Sequence, residues 1–84
     1  MDELAFTVHV TRADISGGVE VIFQTERDAR AFAKSRSQDQ GVLSASVTGF
    51  LIGVFGSRQP VAWYSDGNEQ PPRYHGSKRQ FYPT

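Results

Sequence analysis

The sequence predicts an α+β domain: an antiparallel sheet of about four strands with one helix packed on one face, in the order strand–strand–helix–strand–strand. Three observations carry that expectation. Two alternating apolar–polar runs flank a glycine pair, a capped alanine-rich segment follows, and an uncharged alternating run then leads into a second apolar strand. An aromatic and basic tail closes the chain, so the division expected is a single domain over 1–68 and a C-terminal tail over 69–84, packed back on the sheet or serving as an interaction arm.

The first run, Ala5 to Arg12, turns Phe6, Val8 and Val10 one way and Thr7, His9 and Thr11 the other, the period of a strand with one buried face. Asp14 to Gly18 reads as a turn. Val19 to Thr25 alternates again, with Val19, Val21 and Phe23 opposite Glu20, Ile22 and Gln24. Two such runs across a glycine turn make an antiparallel hairpin.

Thr25 changes the pattern. Thr25-Glu26-Arg27-Asp28 resembles a capping box with Asp in place of Glu, and Glu26 and Asp28 suit the positive end of a helix. Ala29, Phe32 and Ala33 then form a narrow apolar stripe, with Arg27, Arg30, Lys34 and Arg36 on the flanks and outer face. The helix is expected to fade near Ser37 and to leave through a turn at Gly41.

Between Asp39 and Arg58 no residue carries a formal charge. A membrane span is one reading of that run, yet Gln40, Ser44, Ser46, Thr48 and Ser57 make it polar, and it is short for about 30 Å of hydrocarbon. Leu43, Ala45 and Val47 alternate with Ser44, Ser46 and Thr48, which favours a strand, expected to bend near Gly49. Gly56 to Gln59 turns the chain, and Pro60 to Tyr64 supplies a last strand with Val61 and Trp63 on the face toward the helix.

The expected core is therefore Phe6, Val8, Val10, Val21, Phe23, Phe32, Leu43, Val47 and Trp63. One short helix covers one sheet face only. The other face is expected to be polar, carrying Thr7, His9, Glu20, Gln24, Ser44 and Ser46, but interrupted by Ile22, Tyr64 and some of Phe50, Ile52 and Val54. An apolar patch on a solvated face suits a partner, a second copy or the folded-back tail.

Composition narrows the function. The 84 residues contain no cysteine, which removes disulfides, thiolate metal sites and a thiol nucleophile. Lys plus Arg equals Asp plus Glu at 9 each, so no overall field draws the chain to nucleic acid or to an anionic membrane. Acidic residues outnumber basic ones up to Asp66, whereas Arg73, Lys78 and Arg79 face only Glu69 in the remainder. The start, Met1-Asp2-Glu3-Leu4, lacks the basic-then-apolar layout of a secretion signal, and a cytoplasmic location is expected.

Catalytic constellations are scarce. His9 and His75 are far apart in sequence with no cysteine between them, so no metal and no cofactor are expected. No serine sits in Gly-x-Ser-x-Gly. Gly49, Gly53 and Gly56 lack the Lys-Ser/Thr of a phosphate loop, Glu26 and Asp28 are accounted for by the cap, and Asp66 by a turn. The expectation is a protein without enzymatic activity.

The segments Thr25 to Ala33, Gly41 to Thr48 and Arg58 to Tyr64 together resemble small uncharacterised proteins encoded by actinobacteria and their phages. The resemblance spans about half the chain, from Thr25 to Tyr64. It implies a setting, an accessory protein of a high-GC bacterium or of a phage acting in its host's cytoplasm, and it brings no activity, cofactor or functional residue.

Two functions from different classes follow. One is a protein–protein interaction or regulatory module, acting as a homodimer or with a protein partner through the helix-free sheet face at Ile22, Phe50, Ile52 and Tyr64, or through a strand edge. The alternative is a nucleic-acid-binding accessory protein using Arg27, Arg30 and Lys34 on the helix with Arg73, Tyr74, Lys78 and Arg79 on the tail.

Overall fold

The computed structural model describes residues 3–14 and 16–72. Its elements are β1 (Leu4–Arg12), β2 (Gly17–Phe23), α1 (Glu26–Arg36), β3 (Val42–Leu51), β4 (Gln59–Ser65) and β5 (Asn68–Glu69). The five strands form one antiparallel sheet in the order β2-β1-β3-β4-β5, with α1 on one face. The α+β architecture read from the sequence is the one observed. Sheet pairing runs slightly past Asn68, because Glu69 pairs with Tyr64 and the Gln70 amide donates to the Trp63 carbonyl.

The helix starts where its cap places it. Thr25 is extended, and its hydroxyl accepts from the Asp28 amide at 3.2 Å. Glu26 and Asp28 in the first turn and Lys34 and Arg36 in the last both complement the helix dipole. Ala29 and Ala33 are fully buried against the sheet, and having no side chain beyond Cβ they let the helix axis lie close to the strands. Phe32 packs against the core from one flank, its ring 5.5 Å from that of Phe23 and tilted by 51°.

Val8, Val10, Val47 and Ala45 fill the centre of the layer, with Phe6 and Tyr64 at its margins. Across β1 and β3 the register pairs Phe6 with Gly49, Val8 with Val47 and Val10 with Ala45, so one set of alternate residues faces the helix and the other faces away. The uncharged run is thus a strand and a turn. Among the described residues no helix is long and apolar enough to cross a membrane.

Two register shifts correct the expected core. Between β1 and β3, Thr11 pairs with Ser44 but Arg12 with Val42; Leu43 is the extra residue, 56% exposed, and Val42 packs on the core in its place. Between β3 and β4, Val47 pairs with Ala62 but Thr48 with Pro60, leaving Val61 as the extra residue; Val61 and Ala62 both pack on the core. Beyond that shift Tyr64 pairs with Ala45 and lies buried under the helix, while Trp63 pairs with Ser46 on the opposite face. Trp63 is therefore not a core residue opposite Phe32, and Tyr64 is not on the open face. The irregularity expected at Gly49 lies instead on β4, at Val61, and Gly49 stays in regular pairing beneath the Phe6 ring.

Candidate partner-binding face

The helix-free face is built from the residues that alternate with the core. Thr7, His9 and Thr11 on β1 stand beside Thr48, Ser46 and Ser44 on β3, making a central polar band. The Thr7 and Ser46 hydroxyls each reach a cross-strand backbone carbonyl, of Thr48 and His9 respectively, at 3.5 Å, so both are held only loosely and remain able to bond elsewhere. Apolar side chains border the band. Ile22 on β2 is 62% exposed beside Thr7, and Val19 is exposed beside His9; on the other side Pro60 pairs with Thr48 and Trp63 with Ser46. Phe50, half-buried, extends the border toward the end of β3.

Trp63 gives this face its relief. Its indole Nε1 donates to the Pro71 carbonyl at 2.7 Å, which draws the chain after β5 alongside the sheet. Between that segment and the polar band lies a groove of about 360 Å³, lined by His9, Thr11, Ser44, Ser46, Thr48, Pro60, Trp63, Gln70 and Pro72 among others. One wall is indole and proline, and the floor is hydroxyl and imidazole. Such a surface suits a ligand with an apolar flank and hydrogen-bonding groups beside it.

The groove also brings a serine, a histidine and a carboxylate to one place. Ser46, His9 and Glu69 all line it. Their bonding does not form a relay, since the Ser46 hydroxyl donates to the His9 backbone and Glu69 accepts from Arg30 at 3.3 Å. Among the described residues no group of three or more His, Asp or Glu could hold a metal.

Of the four residues expected on the partner face, Ile22 and Phe50 lie there. Ile52 falls beyond β3 in an exposed turn, and Tyr64 is buried on the other side. His9 and Ser44 lie on the face where their alternation puts them, and Trp63 joins them there. Alternation with Val8 and Val10 marks His9, whereas the four apolar residues Val61 to Tyr64 offer no polar–apolar contrast from which to place Trp63.

The cations of the nucleic-acid alternative divide. Arg30 donates to Glu26 at 2.7 Å and also reaches Glu69; the Glu26 bond raises its pKa, burial opposes that, and the Tyr64 side chain adds to it. Arg36 bonds Glu20 at 2.8 Å and Asp39 at 2.6 Å, and both carboxylates raise its pKa, Glu20 more. Arg27 and Lys34 are exposed on the outer helix surface. Arg73, Tyr74, Lys78 and Arg79 lie outside the described residues.

Comparison with protein-family models, with curated proteins and with solved structures finds no match to this chain.

Proposed function

We propose that this protein is a non-enzymatic interaction module that takes a protein partner on its helix-free sheet face. The observation that carries this reading is the uncovered face itself. Exposed Val19 and Ile22 lie on one side of a polar band, and Pro60, Trp63 and the groove lie on the other. Exposed apolar side chains beside hydrogen-bonding groups let apolar area supply affinity while polar groups set orientation. The ion pairs of Arg30 and Arg36 leave the helix a weaker nucleic-acid surface than its arginine content implies.

The test is to capture partners from a lysate of cells that make the protein, purify the candidate, and measure its binding to variants. Val19→Lys, Ile22→Lys and Trp63→Ala are expected to weaken binding by about tenfold or more, with the circular dichroism spectrum unchanged. Arg27→Ala with Lys34→Ala on the opposite side is expected to leave it unchanged. Binding that survives the sheet-face variants and is lost with the helix variants would overturn the reading. Because Trp63 is the only tryptophan, its emission gives a second readout at the groove.

A further inference from the structure

We infer that the turn joining β3 to β4 is a self-association surface, on which the apolar tip of one copy packs against the tip of a second copy about a two-fold axis. This goes beyond the sheet-face reading and stands without it.

The tip is apolar and fully presented. Phe55 is 103% exposed, Ile52 and Val54 are exposed, and Leu4 and Leu51, paired at the end of β1 and β3, continue the patch onto the sheet end. A fully exposed phenylalanine is costly to leave in water, and here it stands among other exposed apolar residues close in sequence.

The tip is also preorganised. The Val54 amide donates to the Leu51 carbonyl and the Ser57 amide to the Val54 carbonyl, closing two consecutive four-residue turns. Gly53 and Gly56 hold the third position of each, both at φ +82°, which a side chain at Cβ would disfavour. The Ser57 hydroxyl accepts from the Leu51 amide at 2.9 Å and lies within bonding distance of the Leu51 and Val54 carbonyls. Ser57, the one polar side chain from Leu51 to Ser57, is thereby committed inward. The backbone that presents the apolar side chains is thus held by its own hydrogen bonds, which lowers the ordering cost of burying the tip.

The rim selects the occupant. The Ile52 amide donates to the Glu3 carbonyl at 2.8 Å, which places acidic Glu3 beside the tip, and basic Arg58 follows Ser57; both are exposed. Among the described residues the rim thus offers a charge of each sign, which is self-complementary because a two-fold axis can set each Glu3 against the other copy's Arg58. A bilayer fits less well. Stable anchoring on lipid takes a second signal such as a basic cluster, which the described residues at this end do not form. A patch of five side chains is smaller than a standard specific interface, so the dimer expected is a weak one.

Sedimentation velocity on the full chain, from low micromolar to about a millimolar, tests this. The mass is expected to rise from 9.3 kDa toward its double. Phe55→Ser should weaken the dimer about tenfold or more without altering the fold, since the ring touches no core, whereas Ile22→Lys on the sheet face should leave the dimer intact. Glu3→Lys or Arg58→Glu alone should weaken it about two- to fivefold, and the two together should restore it. A chain that stays monomeric throughout, or a dimer indifferent to Phe55→Ser, would overturn the inference. So would a monomer that pellets with phosphatidylcholine vesicles through Phe55. Loss of the dimer in Ile22→Lys alone would move self-association to the sheet face and overturn it equally.

Discussion

Phe6 and Thr7 are neighbours on one strand, and the two faces they serve obey different rules. On the helix side small and branched residues leave no room for change: Val8, Val10, Ala29, Ala33 and Ala45 are all wholly buried. On the open side hydroxyls alternate with solvent, and the apolar residues retreat to the border. The contrast teaches where this molecule keeps its stability and where it keeps surface for others. In so short a chain one sealed layer carries most of the folding free energy, so the second face can be chosen for recognition.

The largest expected effect breaks the comparison at its sharpest point. Phe6→Ala removes a ring that is only 8% exposed and lies over Gly49. It is expected to cost about 3–5 kcal/mol, enough to leave a domain of this size largely unfolded. Thr7→Ala, one residue on, removes a single long hydrogen bond at 3.5 Å and should change stability by no more than about 0.5 kcal/mol. Urea unfolding of both variants checks the pair, and comparable losses would mean that the open face also carries structural load.

A second pair compares one residue type in both settings. Ser37, at the end of α1, is 2% exposed; its hydroxyl donates to the Lys34 carbonyl at 2.7 Å and accepts from the buried Gly67 amide at 2.9 Å. That serine ties the helix to the β4–β5 turn. Ser37→Ala leaves the Gly67 amide without its partner, at a cost of about 1–3 kcal/mol. Ser46→Ala on the open face gives up only a 3.5 Å contact, and the expected change is within about 0.5 kcal/mol. Thermal unfolding separates them, and hydrogen exchange at Gly67 shows whether the tie is what was lost.

How much of this was legible depended on contrast within each segment. The hairpin and helix could be read because Phe6 to Thr11 alternates cleanly and Thr25 announces a cap. The face of β4 could not, because Val61-Ala62-Trp63-Tyr64 is apolar throughout and a one-residue bulge decides which side chain turns inward. Leu43 shows the opposite hazard. Its alternation with Ala45 and Val47 is regular in sequence, yet the shift opposite Arg12 exposes it and gives its place to Val42. At the tip, Gly53 and Gly56 were the turn signals, but the apolar residues around them read as more strand, which carried Ile52 onto the wrong surface.

The smallest effect lies at the seam between the two faces, where the end of the helix meets the β2 edge. Glu20 is the extra residue of the shift in β2, and it accepts from Arg36 at 2.8 Å and from Arg12 at 3.0 Å. The hydrogen bond from Arg36 is the main cause of its lowered pKa; burial opposes it, and the charges of Arg36 and Arg12 add to it. A carboxylate whose pKa is lower in the folded than in the unfolded chain stabilises the fold above the unfolded value, near 4.3 for an ordinary glutamate, and that contribution is lost as pH falls through the folded value. Stability should therefore decline on acidification below about pH 5. Glu20→Gln should flatten that decline while lowering stability slightly at neutral pH, since the pairs are partly solvated and salt screens them. Urea midpoints from about pH 3 to pH 7, at low and high salt, measure both slopes. Equal slopes for the variant and the parent would show that the edge of β2 is held to the helix by packing alone, and that the sealed layer needs no charge to close it.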